Sequence, residues 1–354
     1  SRLYFYLLHF MLKNILSDAE RSRLKSLIDE ANNIVICCHT SPDGDAIGSC
    51  LGLADYLKNI GKTPVIIVPN KYPDFLRWMS GNETIKRYDK KASEADLLFG
   101  IADLIFCLDF NADNRTDEMA KPLETSKAKK VMLDHHPDPV METVLTVSHP
   151  EMSSTCEIVF RVISELDGFD MMSKHGAEAI YCGMMTDTGG FTYNSTSPDI
   201  YFIISQILMK GVDKDKIYRN VYNNYSCDRF RLMGHILLNN LVYIPEYNAT
   251  FFTLTKKEML KFNFIKGDAE GLVNIPLQIK GVKLSISLRE DTEKEKLIRV
   301  SLRSVDSFPC NKMSELFFNG GGHLNASGGE LNCDMKHAEE IVKKAIIHFE
   351  KELK

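Results

Sequence analysis

The sequence predicts an α/β protein, with an open parallel β-sheet covered by helices on both faces and followed by a smaller α+β domain. Short apolar runs rich in β-branched residues recur in the first half, which is typical of buried parallel strands. Stretches with helical spacing separate these runs, and beyond about residue 240 shorter strand-like segments replace them. A chain of 354 residues has room for two domains, and we expect a cleft between them.

The first domain is predicted to span residues 12–222. Its four expected strands are IVICC (34–38), PVIIVP (64–69), LIFCLD (104–109) and VMLDHH (131–136). Apolar residues at helical spacing follow the first strand, and further helices are expected at 154–166 and 175–185. This alternation of strands and helices predicts the parallel sheet.

A helical connector, residues 223–240, is predicted to join this domain to a second one at 241–354. Expected strands of the second domain are 241–244, 250–255, 282–289 and 298–304, and an amphipathic helix near 338–351 closes the chain. No internal repeat is evident.

Composition narrows the classes of function. The formal net charge of −5 gives no bulk attraction to long polyanions, so a nucleic-acid substrate is expected to be short and held by local contacts. Nine cysteines without a C-x-x-C pair indicate thiols in a reducing compartment, and we expect a cytoplasmic protein. No apolar run is long enough to cross a membrane, and we expect no membrane partner.

The opening segment SRLYFYLLHFMLKN is apolar and aromatic. It lacks the basic region and the small-residue cleavage site of a secretory signal. Two interpretations stay open, an extended translation start ahead of Met11 and a short packing arm.

The first chemical motif is HTSPDGDAIGS, which follows the first strand and opens a helix. Ligands of open α/β sheets bind beyond the carboxyl ends of the strands. His39, Asp43 and Asp45 crowd this position, and imidazole with carboxylates is a ligand set for divalent ions. Helix capping would explain one of the two acids but not all three residues.

Two more strands deliver acids or imidazoles to the same edge. Asp109 ends one strand, Asp134, His135 and His136 end another, and Asp187 lies in the segment GMMTDTGGF between a helix and a Gly-Gly turn. Each alone could be a turn or cap residue. Together they provide enough ligands for two ions with one bridging carboxylate, an arrangement suited to phosphoryl hydrolysis.

The third signal is the segment NGGGHLNASG in the second domain, which is expected to be a loop. Gly320, Gly321 and Gly322 would let backbone N–H groups approach an anion, and His323 would add a charged donor. Arg303 at the end of a predicted strand could bind phosphate in a bidentate manner, although exposed arginines are common.

These motifs resemble the DHH phosphoesterase family. HTSPDGDAIGS, LDFNADNR, LDHH and MMTDTGGF resemble its four motifs in order, and GGGHLNASG with SLRS and EGLVN resembles its DHH-associated substrate domain. The resemblance covers about residues 32–329. Its length and its GGGH segment are most similar to the nanoRNase and phosphoadenosine-phosphate phosphatase branch.

The resemblance implies a hydrolase that uses two divalent cations, manganese or alternatively magnesium. It implies substrates that are oligoribonucleotides of a few residues or adenosine 3′,5′-bisphosphate. Whether the chain forms a homodimer stays open. The implied ligands are His39, Asp43 and Asp109 for one ion, and Asp45, Asp109, His135 and Asp187 for the other. The resemblance also implies that His136 contacts the scissile phosphate and Asp134 supports it, whereas Arg115, Arg303 and His323 bind the substrate.

One feature departs from the expected pattern. Phe110, Asn111 and Ala112 follow Asp109, where smaller polar residues are expected, which puts neighbouring substrate contacts in doubt. A phosphodiesterase for linear or cyclic dinucleotides is the nearest alternative. The GGGH segment argues against a pyrophosphatase, the negative charge argues against a long-strand exonuclease, and the complete ligand set argues against a non-catalytic nucleotide sensor.

Overall fold

The computed structural model describes residues 12–265 and 267–354, which divide into two compact units. The first unit ends at Asn224 and the second begins at Tyr225. The two interpretations of the opening segment concern residues 1–11, which lie outside the described residues. None of the described helices is both long and apolar enough to span a bilayer.

A six-stranded, fully parallel sheet forms the centre of the first unit, in the order β3-β2-β1-β4-β5-β6. The strands are β1 Ile34–Cys38, β2 Val65–Val68, β3 Lys86–Arg87, β4 Leu104–Leu108, β5 Lys129–Asp134 and β6 Leu145–Ser148. The helices are α1 Asp18–Glu30, α2 Gly44–Asn59, α3 Tyr88–Ile101, α4 Ala120–Thr125, α5 Thr155–Glu165, α6 Lys174–Asp187, α7 Pro198–Met209 and α8 Lys214–Tyr222. The predicted parallel sheet is confirmed.

Both faces of this sheet are buried. Successive residues of a strand point to opposite faces. Ile34 and Ile36 of β1 pack into one hydrophobic core, whereas Val35 and Cys37 pack into another. Every residue of β1 and β4 is buried, which explains why these strands are apolar throughout rather than alternating. The prediction of helices on both faces is therefore confirmed.

Glycines bring α2 and α6 into unusually close contact. A Cβ atom built on Gly44 would lie 2.2 Å from Thr186 Oγ1, and one on Gly48 would lie 2.5 Å from the carbonyl oxygen of Ala179. Both sites therefore require glycine. The antiparallel contact sets the beginning of α2 beside the end of α6, which is where Asp45 and Asp187 lie.

The second unit contains a mixed six-stranded sheet in the order β11-β12-β10-β9-β8-β7. Its strands are β7 Val242–Ile244, β8 Ala249–Leu254, β9 Leu284–Glu290, β10 Ile298–Ser304, β11 Gly321–Gly322 and β12 Ala326–Leu331. Its helices are α9 Cys227–His235, α10 Lys256–Lys261, α11 Cys310–Phe317, α12 Met335–His348 and α13 Glu350–Leu353. The predicted smaller α+β domain is confirmed.

Two features of this unit differ from the sequence-based expectations. The segment expected to connect the domains packs into the second unit, since Leu232 and Ile236 share a core with Phe252 and Leu254. The glycine-rich segment, expected to be a loop, forms the β11–β12 pair at a sheet edge. Glycine weakens the strand signal in the sequence, so pairing with β10 decides this structure.

Candidate metal centre

Five polar segments meet at the carboxyl edge of the first sheet. His39 follows β1, Asp109 follows β4, and His135 follows β5. Asp45 lies in the first turn of α2, and Asp187 is the last residue of α6. The carboxyl ends of parallel strands lie at one edge, so the topology gathers residues that are far apart in sequence.

The predicted ligands form two groups. His39, Asp43 and Asp109 have ligand atoms within 4.8 Å of one another, and so do Asp45, His135 and Asp187. We call these the first and the second ligand group. His39 Nε2 lies 3.3 Å from Asp109 Oδ2 and 3.8 Å from Asp43 Oδ1.

The second group has similar spacings. His135 Nε2 lies 3.5 Å from Asp187 Oδ2 and 3.9 Å from Asp45 Oδ2. It also lies 3.6 Å from Asp109 Oδ1. Asp109 therefore presents one carboxylate oxygen to each group, which is the arrangement that a bridging ligand requires, and we count it as a member of both groups.

The orientation of two histidines suits metal binding. His39 Nδ1 donates to the carbonyl oxygen of Thr40 at 2.8 Å, and His135 Nδ1 lies 3.3 Å from the carbonyl oxygen of Met152. A carbonyl oxygen only accepts, so the proton is held on Nδ1 and Nε2 is left to face the carboxylates. This second contact of the ring is the one that metal-binding histidines usually make.

His136 has a different partner. Its Nδ1 lies 2.7 Å from Asp134 Oδ1, whereas its distance to Asp109 Oδ1 is 3.7 Å. Burial lowers the pKa of His136, but the hydrogen bond to Asp134 and the charge of Asp109 outweigh burial and raise the pKa. A positive imidazole is therefore favoured here, which suits contact with an anionic phosphate.

The centre is largely buried and crowded with negative charge, with Asp43 and Asp187 partly exposed. His39, Asp45, Asp109 and His135 are each at most 8% exposed. Burial raises the pKa of Asp45 well above its usual value, and the charges of Asp109 and Asp43 raise it further. Burial and the neighbouring carboxylates act in the same direction on the pKa of Asp187. Without a cation, these carboxylates repel one another.

His39 and Asp109 stabilise each other's charge. Burial lowers the pKa of His39, but hydrogen bonds to Asp109 and Asp43 raise it well above its usual value. Burial raises the pKa of Asp109, but the hydrogen bond and charge of His39 lower it below the ordinary range. The raised pKa favours a proton on His39 when no cation is bound, and a divalent ion at this position would compete with that proton.

The residues present fit divalent ions. Two ligands held at about 2.1 Å from one ion are about 3.0 Å apart at a right angle. The first group needs a change of only a few tenths of an ångström between His39 and Asp109. Imidazole and carboxylate ligands without thiolate favour first-row divalent ions or magnesium.

Capping and metal binding are combined in Asp43. Its Oδ1 accepts hydrogen bonds from the N–H groups of Asp45 and Ala46, both at 3.0 Å, and so caps α2. The capping interpretation therefore holds for Asp43 and does not compete with its place in the first ligand group.

The sequence did not indicate the residues whose hydrogen bonds hold the proposed ligands in place. Thr155 Oγ1 donates to Asp109 Oδ1 at 2.9 Å, and the N–H groups of Thr155 and Cys156 donate to the two oxygens of Asp45. Asn70 contacts the loop that carries His39. The sequence SSTCE, in which Ser154 caps a helix, was the available signal for Thr155.

The structure explains why Phe110 and Asn111, rather than smaller polar residues, follow Asp109. Asp109 itself has a positive φ of 65°, which turns the chain sharply at the sheet edge. Phe110 is fully buried in the core on one face of the sheet, and Asn111 Nδ2 donates to the carbonyl oxygen of Pro137. Phe110 and Asn111 therefore anchor the turn.

Arg115 lies close to the centre. Its carbonyl oxygen accepts the N–H of Thr40 at 2.7 Å, and its side chain is exposed. Its charge is near enough to lower the pKa of His136. The structure thus places Arg115 beside the residue expected to contact phosphate.

The predicted residues of the second unit also cluster. Arg303 on β10 pairs with Ala326 on β12, and the carbonyl oxygen of Ala326 accepts the N–H of His323 at 2.8 Å. His323 is exposed and Arg303 is partly buried. The structure thus places Arg303 and His323 near the same end of strands β10 and β12.

The three glycines have different environments. A Cβ on Gly320 would lie 1.9 Å from the carbonyl oxygen of Gly328, and Gly322 has a φ of 140°. The N–H of Gly320 already donates to the carbonyl oxygen of Ser314. A Cβ on Gly321 would meet no described atom within 4 Å. Packing therefore accounts for Gly320, and backbone conformation for Gly322, whereas Gly321 lies in open space.

Two domain families match this chain. The DHH family, N-terminal domain, matches residues 33–184, and the DHHA1 domain matches residues 249–351. The crystal structure of an exopolyphosphatase-related protein from Bacteroides fragilis is similar, with a TM-score of 0.93 and 51% sequence identity over 97% of this chain and 99% of that one.

Two curated relatives are more distant. The bifunctional oligoribonuclease and PAP phosphatase NrnA of Thermus thermophilus is 27% identical over 88% of this chain and 89% of its own length. The cyclic-di-AMP phosphodiesterase GdpP of Bacillus subtilis is 24% identical over 92% of this chain, which spans 49% of that relative.

Proposed function

Because this chain belongs to the DHH family and is a phosphoesterase, we propose that it hydrolyses phosphodiester bonds of short oligoribonucleotides with two divalent cations. We further propose that it removes the 3′-phosphate of adenosine 3′,5′-bisphosphate. The division of the Asp109 carboxylate between two histidine-containing ligand groups is the observation that carries the proposal. Two closely spaced ions are a recurrent solution to phosphoryl hydrolysis.

The relatives support this substrate class over the alternative. This chain spans nearly the whole length of the Thermus thermophilus protein, whose name gives both activities. It spans only about half of the cyclic-di-AMP phosphodiesterase. Linear or cyclic dinucleotides remain the second candidate, since they present the same phosphodiester to the same ligand groups.

The proposed ligands follow the two groups. His39, Asp43 and Asp109 would hold one ion, and Asp45, Asp109, His135 and Asp187 would hold the other. Bound there, the ions would lower the pKa of water and neutralise charge on the phosphate. We propose manganese as the ion, with magnesium as the alternative, because the ligands are imidazole and carboxylate.

The remaining side chains would bind the substrate. His136, kept positive by Asp134, would donate a hydrogen bond to a phosphate oxygen, and Arg115 would add a second positive charge. We assign a further substrate phosphate to Arg303 and His323 in the second unit. Recognition of a second phosphate would favour short substrates over long strands.

We place this activity in the cytoplasm. All nine cysteines are free thiols in the structure, and most are buried in the cores. Free thiols persist where the compartment is reducing.

The test compares manganese-dependent hydrolysis of five substrates side by side. They are a 5′-phosphorylated diribonucleotide, a cyclic dinucleotide, adenosine 3′,5′-bisphosphate, pyrophosphate and inorganic polyphosphate, the last because of the description of the Bacteroides fragilis protein. Mononucleotide release from the diribonucleotide is the expected result. Turnover of the cyclic dinucleotide, pyrophosphate or polyphosphate with the diribonucleotide untouched would overturn the substrate.

A second measurement addresses a non-catalytic sensor. Manganese should raise the thermal stability of the wild-type chain, and Asp109→Ala should abolish that rise because both groups lose their shared carboxylate. Metal binding without hydrolysis of any of the five substrates would favour the sensor.

A further inference from the structure

We infer that Thr155 and Asn70 are positioning residues, each of which acts mainly on a different one of the two ions. The inference rests on the proposed function in one respect, namely that two divalent ions bind. Neither residue is a member of a ligand group. Thr155 forms a hydrogen bond to a proposed ligand, and Asn70 forms hydrogen bonds to the loop that carries one.

Thr155 acts on the second group. Its backbone N–H donates to Asp45 Oδ2 at 2.7 Å, and its hydroxyl donates to Asp109 Oδ1 at 2.9 Å. Asp109 Oδ1 is the oxygen that faces His135, whereas Oδ2 faces His39. One fully buried residue therefore fixes two carboxylates, both on the side of the second ion.

A valine at position 155 would lack the hydroxyl group. Without it, Asp109 Oδ1 would lose its only neutral donor among the described hydrogen bonds, and the carboxylate could rotate. The backbone bonds from Thr155 and Cys156 to Asp45 would stay, since they depend on the beginning of α5. A Thr155→Val change therefore isolates the hydroxyl.

Asn70 acts on the first group. It follows β2, and its Oδ1 accepts the N–H of Ser41 at 2.7 Å while its Nδ2 donates to Thr40 Oγ1 at 2.7 Å. The carbonyl oxygen of Thr40 in turn accepts the Nδ1 proton of His39 at 2.8 Å. Asn70 thus holds the carbonyl that orients the His39 ring.

The loop needs this support. Ser41 has a positive φ of 51°, a conformation that non-glycine residues rarely adopt without stabilisation. The described hydrogen bonds of Asn70 end on Thr40 and Ser41, and those of the Thr155 hydroxyl end on Asp109. The two supports therefore act on different residues of the centre.

The experiment is calorimetric titration of the full chain with Mn²⁺, which needs no substrate. His39→Ala leaves the second group, and Asp187→Asn leaves the first group with Asp109 intact. In the His39→Ala background, Thr155→Val should raise the Mn²⁺ Kd about 10–100-fold, the usual cost of removing such a support. In the Asp187→Asn background, Asn70→Ala should raise it by a similar factor.

The crossed combinations give the selectivity. Asn70→Ala in the His39→Ala background should change the Kd by less than about threefold, because its hydrogen bonds end on Thr40 and Ser41. Thr155→Val in the Asp187→Asn background should raise the Kd less than it does in the His39→Ala background, because Asp109 is shared but its Oδ2 still faces His39. Thr155→Ser, which keeps the hydroxyl, should restore the wild-type Kd. Equal weakening in both backgrounds, or no weakening in either, would overturn the inference.

A matched control separates positioning from stability. Thr250 in the second unit is also fully buried, and its hydroxyl contacts the carbonyl oxygen of Leu284. Thr250→Val should leave the Mn²⁺ Kd unchanged in both backgrounds. A rise in Kd as large as that caused by Thr155→Val would show a general effect of buried hydroxyl loss and overturn the inference. If the wild-type chain itself bound no Mn²⁺, the proposed function would fail, and this inference with it.

Discussion

The two units contain the predicted phosphate-handling residues in contrasting environments. Most ligands of the first unit are buried, although Asp43 and Asp187 are partly exposed. Several ligands are held by backbone N–H or carbonyl groups, as Asp45 and His39 are. The corresponding residues of the second unit, Arg303, His323 and Gly321, are partly or fully exposed. Buried groups are oriented before any ligand arrives, whereas exposed side chains must be ordered on binding.

This difference in burial matches two different roles, catalysis and substrate recognition. Chemistry on a phosphate needs charges fixed in a site of low dielectric, where electrostatic interactions are strong. Recognition of a second phosphate tolerates solvent and depends on a few charged donors. We therefore expect substitutions of the metal ligands in the first unit to reduce turnover and substitutions of Arg303 or His323 to weaken substrate binding.

The largest effect is expected for Asp109→Asn. It removes the carboxylate shared by both ligand groups, and two-metal stabilisation of the transition state is worth several kcal/mol. We predict a fall in kcat/KM on a diribonucleotide of roughly 10³-fold or more. Asp113→Asn, a change in the following turn outside the described ligand groups, is the control and should keep most of the activity.

His136→Gln tests the buried side of the comparison. The imidazole, held by Asp134, is expected to contact phosphate rather than bind an ion, so kcat should fall about 10²–10³-fold while Mn²⁺ affinity is retained. Steady-state kinetics and calorimetry of the same preparation measure both quantities. Since His136 also lies within ligand distance of Asp109 and His135, loss of an ion would reassign it as a ligand.

His323→Ala tests the exposed side. Loss of one charged hydrogen bond costs about 1.5–3 kcal/mol, so KM should rise roughly 10–100-fold with little change in kcat or Mn²⁺ affinity. His337→Ala removes another exposed histidine of the second unit and serves as the matched control. A fall in Mn²⁺ affinity for His323→Ala would contradict the division of roles.

The glycines sharpen the comparison within the second unit. Gly320→Ala should lower the free energy of unfolding by about 1–3 kcal/mol, because the new methyl group would overlap Gly328. Gly321→Ala should change it by less than about 0.5 kcal/mol, since the site is open. Urea unfolding measures both. If Gly321→Ala nevertheless raised KM, close approach of substrate to that backbone would be indicated.

The sequence by itself determined the sheet of the first unit and the residues around it. Apolar runs such as LIFCL must be buried on both faces, and acids or imidazoles after three strands must share an edge once the sheet is parallel. These are local patterns with one physical solution, and so His39, Asp109 and His135 could be named as neighbours from the sequence.

Only the tertiary structure decided how the ligands are held. The hydroxyl of Thr155 reaches Asp109 across 46 residues, and Asn70 reaches Ser41 across 29, distances at which no periodicity carries information. The sequence also did not indicate the β11–β12 pair. Glycine has little preference for strands, and pairing of β12 with β10 fixes the conformation of this segment. Hydrogen bonds between distant segments depend on how the elements pack, and packing is a property of the whole fold.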